Sequence, residues 1–291
     1  MGHMNVRVYV EKQMEGLGVF VHSLGMPHAF VQNAPSTIVP VDQHIRFVRE
    51  VLPGRPLSMK GCLLDVGESD ALVYQELRHA DGQLAAAFRT RIMHVDTAGR
   101  EPFPWGKSVR AAMADDIDTP PEESAPRSID PDAPGRAYDE ITIDTPQALG
   151  VRCIGMGAVP TRHLDVHGRM EPYWIIGRVS DSVPNLLHEW RRKVAENAGS
   201  LRMGGAVLEY RIRYHGWPQA GDLFEIYTGF GGVDGKTHAL IHWIMNPVTG
   251  KPWATAQVTA ITLDLDARKA IPAPPEAIQE MIRMAPEGLS I

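Results

Sequence analysis

The sequence predicts an α+β protein in which one module is used twice, each copy a helix followed by an antiparallel meander. Three observations predict it. A Gly-x-Met motif precedes a helix-like stretch at Gly2-His3-Met4 and again at Gly168-Arg169-Met170. After each helix come runs of strand periodicity separated by turn residues. Finally, the spacing from Gly2 to Gly168 and that from Asp96 to Asp264, which close the two longest strand runs, agree to within two residues.

At 291 residues the chain is long enough for two domains, each with its own core. Hydrophobic content of 44% and charged content of 22% fit a globular protein. A formal net charge of -6 with scattered Lys and Arg argues against a nucleic-acid partner. No apolar run reaches the roughly 18 residues of a membrane span and no signal peptide is visible, so the expectation is a cytoplasmic protein with no membrane partner. Cys62 and Cys153 share no metal-type spacing and read as free thiols.

The first stretch, Met1-Gly2-His3-Met4, reads either as an expression remnant or as native sequence; the recurrence of Gly-x-Met favours the second. Val10, Met14, Leu17, Val21 and Leu24 recur at steps of four and three, the buried stripe of an amphipathic helix, which Gly25-Met26-Pro27 stops. Strand-like runs follow at 41–50, 55–66, 71–79 and 83–96, with Asp81-Gly82 a hairpin signal between the last two. These make an N-terminal module over 1–113, with no strand ahead of its helix. Residues 114–140 are acidic and proline-rich with few large apolar side chains, and read as a solvated linker. A C-terminal module over 141–291 repeats the layout. A strand at 151–167 enters Gly168, and a helix at 182–198 carries Leu186, Leu187, Trp190 and Val194. Strands follow at 206–214, 222–230, 237–245 and 253–265.

Gly2-His3-Met4-Asn5 with Tyr9, and Asp165-Val166-His167-Gly168, resemble the two halves of a D-x-x-G-H-x-N motif. That motif, with a following aromatic residue and a long helix, marks hot-dog-fold acyl-CoA thioesterases of the 4-hydroxybenzoyl-CoA thioesterase-like group. The resemblance implies two tandem hot-dog modules, each a central helix packed on a curled antiparallel sheet. It implies hydrolysis of an acyl-CoA to free acid and CoA. Asp165 would be nucleophile or general base, with His3 and Asn5 orienting it or the thioester. Glu15 resembles a helix carboxylate used by some members, and Asp181 is its counterpart in the second copy. Gly2, Tyr9, Gly168, Arg169 and Asp181 would contact substrate. Neither a metal nor a cofactor beyond the CoA of the substrate is implied. A single chain would mimic the family's dimer, so either a monomer or a homodimer of it is compatible.

The chemistry suits these residue types. Thioester hydrolysis gathers negative charge on the carbonyl oxygen, and unpaired N–H groups at a helix start can stabilise it. A neighbouring carboxylate can activate water or attack directly. The sequence departs from the motif in each copy: the first lacks the aspartate, and the second has Arg169 for His and Glu171 for Asn. Plainer readings stand beside these roles. Asp165 and Asn5 are common capping residues, and Glu15 and Asp181 suit solvated helix positions. Two further functions stay open: a hot-dog hydratase or dehydratase, and a non-catalytic acyl-CoA or acyl-carrier binding protein. His238 and His242 share a strand face but lack a third ligand for a metal.

Overall fold

The structure, a computed structural model, describes residues 2–197, 203–234, 236–273 and 275–291, without the side chains of 187–197 and 203. Helix α1 spans Val6–Ser23, with Asn5 as its N-cap: the Asn5 side chain accepts from the Arg7 amide. Strands β1 (Ser36–Phe47), β2 (Leu57–Val66), β3 (Asp70–His79) and β4 (Leu84–Asp96) follow, then the short helices α2 (Lys107–Ala114) and α3 (Asp144–Ala148). The second half holds β5 (Arg152–Ala158), the long helix α4 (Pro172–Asn197), β6 (Met203–Tyr214), β7 (Leu223–Asp234), β8 (Thr237–Met245) and β9 (Pro252–Asp264). It ends with β10 (Lys269–Ile271) and α5 (Pro275–Arg283).

The strands form one sheet in the order β2-β3-β4-β1-β6-β9-β8-β7-β5, and its named pairs are antiparallel. Each half has the same internal order, so β1 and β6 are the facing edges, joined where Asp42 to Arg46 pair with Arg213 to Glu209. The two halves are hot-dog modules side by side. In the second, β5 supplies the outer edge. In the first, residues 116–118 lie along β2 instead: the Leu63 amide donates to Asp116 and the Asp118 amide to Leu63.

Apolar side chains of both modules share one core. Tyr9, Val10, Ile45 and Phe88 of the first pack in the same cluster as Ile175, Ile176, Val179, Ile212 and Ile226 of the second. A satellite cluster under the second half of α1 joins Leu17, Val21, Leu63 and Ile92 to Trp105, Val109 and Met113.

Several boundaries differ from the expectations above. The second helix begins at Pro172, not near 182, and the strand before it ends at Ala158 rather than running to 167. Proline at the first helical position has no N–H to lose. Ile175, Ile176 and Val179 then bury this early part of α4. Leu186 is buried as expected; Leu187, Trp190 and Val194 have side chains outside the described residues. β1 starts at Ser36 because Pro40 sits at a register shift, where a missing N–H is tolerated.

The solvated-linker reading of 114–140 is corrected. The Glu209 carboxylate on β6 accepts from the amides of Arg127, Ser128 and Ile129 at 2.6, 2.7 and 3.0 Å and from the Ser128 hydroxyl. Arg211 donates to the carbonyls of Asp130 and Ala133, and Arg213 to that of Arg136. The segment is a strap bound across the outside of the sheet.

Candidate active site

The two long helices cross antiparallel at the module seam. Near the start of α1, Asn5 donates to the Ser180 hydroxyl at 3.2 Å, and the Arg7 guanidinium lies over the Trp174 ring at 4.5 Å. Gly177 permits this approach: a Cβ there would stand 2.7 Å from Arg7 Cδ. Farther along α1, Glu11 comes within electrostatic reach of Glu171, and Glu15 within reach of Tyr173. The start of α4 therefore faces the middle of α1.

A tight turn leads into α4. Leu164 bridges to Met170, and between them Gly168 takes φ +73°, a backbone conformation open to glycine at little cost. The Asp165 carboxylate ties the turn together, accepting from the amides of His167 and Arg169 at 2.8 and 2.9 Å. The Met170 amide donates to Pro218, and the Glu171 amide to His163. Glu171 is therefore fixed at the last position before the helix.

Electrostatics single out this place. Burial, with Asp165 and Glu11 nearby, pushes the Glu171 carboxyl up to about 7. Arg100, from the turn after β4 of the first module, reaches over the boundary to stand 3.9 Å from Asp165 and 5.5 Å from the Trp217 ring centroid. Burial and the neighbouring Arg169 lower its guanidinium to about 10, against the pull of Asp165. On the other side His163 stacks on Trp174 at 3.7 Å. Burial, then Arg178, Arg162 and Arg7, lower this histidine to about 4, so it is neutral at pH 7.

The residues singled out in the sequence fall in three places. Asp165, Gly168 and Arg169 share the turn just described, and Glu15 lies across the seam, exposed and paired with Lys12 at 2.7 Å. His3, Asn5 and Tyr9 sit at the start of α1, with exposed Gly2 ahead of them at φ +71°. There His3 contacts Glu50 at 3.2 Å, and the Tyr9 hydroxyl accepts from the Val51 amide at 3.2 Å. Burial raises the Tyr9 phenol to about 12. Asp181 is separate again, lining a cleft of about 380 Å³ between β5 and α4 with Arg178, Ser182, Asn185 and Phe224. Sequence reasoning missed Arg100 and Trp217 and took Glu171 only as a departure from the motif. One signal was available. Arg100 and Arg268 are as far apart in sequence as Asp96 and Asp264, and both adopt left-handed backbone, φ +59° and +50°.

His238 and His242 are buried on the face of β8; the ring of His242 bonds the Thr228 hydroxyl at 2.7 Å. Among the described residues no cluster of His, Cys, Asp and Glu is arranged to hold a metal ion. Cys62 and Cys153 are free thiols, and no described helix is long and apolar enough to cross a membrane.

One antiparallel sheet of two like halves joined edge to edge, carrying paired antiparallel helices with a carboxylate-bearing turn at a helix start, defines a double hot-dog protein. The chain belongs to the thioesterase-like superfamily, which it matches over residues 1–113 and 159–281. Membership places it among the thioester hydrolases. The fold is similar to that of an acyl-ACP thioesterase from Bacteroides thetaiotaomicron (TM-score 0.59, 12% identity, 89% of this chain and 90% of that one). It is also similar to a 12:0-ACP thioesterase from Umbellularia californica (TM-score 0.65, 12% identity, 90% and 88%). No curated protein sequence matches the chain.

Proposed function

We propose that the protein hydrolyses acyl-CoA thioesters at the start of α4, with Glu171 as the general base that activates water. One observation carries the reading: Glu171 and Asp165 stand together where α4 faces α1, and burial with Asp165 and Glu11 nearby raises the Glu171 carboxyl to about 7. Both oxygens of Asp165 have work already, one holding two amides and the other facing Arg100. That leaves Asp165 to shape the site and to raise its neighbour.

Thiol release from a panel of acyl-CoAs tests this, run on wild type, Glu171→Gln, Asp165→Asn and Glu15→Gln. Glu171→Gln is expected to lose about a hundredfold in kcat/KM, about 2.7 kcal/mol of transition-state stabilisation. Glu15→Gln is expected to stay within about threefold, because its carboxylate is solvated and paired with Lys12. Full activity in Glu171→Gln with loss in Asp165→Asn would transfer the role to Asp165. The same acyl groups on acyl carrier protein belong in the panel, since both similar structures bear acyl-ACP names. Binding of acyl-CoA without turnover by wild type would favour a binding protein.

A further inference from the structure

The start of α4 is poor in free amides. Pro172 has none. The amides of Arg169, Met170, Glu171 and Trp174 donate to Asp165 Oδ1, Pro218 O, His163 O and Glu171 O at 2.9, 2.7, 2.9 and 3.0 Å. Only Tyr173 keeps a first-turn amide without a partner among the described residues. The amide cradle suggested by the sequence is mostly spent on holding the turn.

Arg100 offers what the amides do not. Its side chain is 11% exposed, and both Nη atoms are buried without a hydrogen-bond partner, the contact with Asp165 being a 3.9 Å ion pair. Leaving such donors unmet is costly, and a ligand oxygen would relieve the cost. The arginine is also held in place. Asp96 accepts from the amides of Ala98, Gly99 and Glu101 to build its turn, and the Trp217 ring lies beneath the guanidinium.

The equivalent arginine of the second module contrasts with it. Arg268 occupies the same turn after β9 but pairs with Glu50, the carboxylate that His3 also contacts. The cation at that end is already neutralised and its side chain is 49% exposed.

We propose that Arg100, supplied by the first module, completes the second module's site by holding the thioester carbonyl oxygen and the charge that develops there, and that the Arg268 end is closed. This rests on the hydrolysis reading above. Glu171 takes a proton from water as the water oxygen bonds to the carbonyl carbon. The carbonyl π pair moves onto the oxygen facing Arg100. When that pair returns, the C–S bond breaks, and the departing sulfur takes the proton back from Glu171. Asp165 lies within electrostatic reach of both groups.

The test is kcat and KM for Arg100→Ala, Arg100→Lys and Arg268→Ala, with and without added guanidinium chloride. Arg100→Ala is expected to lose about a hundredfold in kcat with KM within about threefold. Low-millimolar guanidinium should recover at least tenfold where sodium chloride does not, and Arg268→Ala should keep wild-type kcat. Retention of kcat in Arg100→Ala, or a loss that guanidinium fails to recover, overturns the proposal. Should wild type hydrolyse no thioester, calorimetry with a ketone analogue of acyl-CoA, a methylene replacing the sulfur, separates the two ideas. Tenfold weaker binding by Arg100→Ala would then keep Arg100 as the carbonyl donor while the hydrolysis reading fell; equal binding would remove both.

Discussion

At the scale of single residues, the unusual group is Glu171. A base of this kind works when deprotonated, so kcat/KM is expected to rise with pH and level off above about 7, the value to which burial and its carboxylate neighbours push it. A pH–rate profile flat from 5 to 8 would rule the role out. Stability should respond in the opposite sense. The folded value lies above the ordinary 4.5, so the folded state binds the proton more tightly and loses stability as pH rises from about 4.5 through about 7. Glu171→Gln is therefore expected to melt higher than wild type at pH 8 and with no such gain at pH 4. A merely solvated glutamate would give equal melting temperatures at both. None of this was visible in the sequence, where Glu171 occupies an asparagine position of the motif. Its character comes from burial and from Glu11 on the other module's helix, and no local pattern encodes that encounter. Asp165 was easier to see, because an aspartate three residues before glycine is a local turn signal.

At the scale of elements, strands were read more faithfully than helices. β2, β3, β4 and β8 lie within about two residues of their expected positions, as alternation and Asp-Gly turns mark strand ends. The start of α4 was displaced by ten residues because Gly177, Ser180 and Asp181 resemble a loop. Tertiary packing overrides those propensities: the first turns are held by Ile175, Ile176 and Val179 in the shared core and by Arg7 over Trp174. Gly177 lies against the Arg7 side chain across the seam, and it yields a double-mutant test. Gly177→Val is expected to destabilise by about 2 kcal/mol, since its Cβ meets Arg7 Cδ at 2.7 Å. In an Arg7→Ala background the same glycine changed to alanine should stabilise by about 1 kcal/mol, the ordinary helix preference. Urea midpoints measure both, and a Gly177→Val protein as stable as wild type would show that the seam opens freely.

At the scale of the whole molecule, the two modules and the strap meet on the outer face of the sheet around Glu209 and Arg211. Composition gave 114–140 the look of a free tether because its partners are single charged residues on remote strands, each unremarkable in its own run. Arg211 of β6 grips Asp42 of β1 through two bonds at 2.8 and 3.2 Å and also donates to the strap carbonyls of Asp130 and Ala133. Beside it, burial raises the Glu209 proton affinity, but the Ser128 hydroxyl and the strap amides outweigh burial and hold it below the usual carboxylate range. Burial lowers neighbouring His44 to about 4 despite Glu209 at 3.9 Å. Both shifts act in one direction. A depressed carboxylate loses its stabilisation as pH falls below about 4.5, and a depressed histidine costs stability as pH falls from about 6.5 through about 4. The strap is therefore expected to loosen on acidification before the core does. Arg211→Ala should reproduce part of this at neutral pH, with a loss of about 3 kcal/mol from breaking a largely buried charge cluster and faster proteolysis between 115 and 140. Mapping the first cleavage sites, at pH 7 for the variant and pH 4.5 for wild type under an acid-active protease, decides it. Cuts within the strap in both cases show that the fastening is electrostatic. Cuts elsewhere, with the strap intact, would mean that the apolar contacts of Ile129 hold it and the charges are incidental.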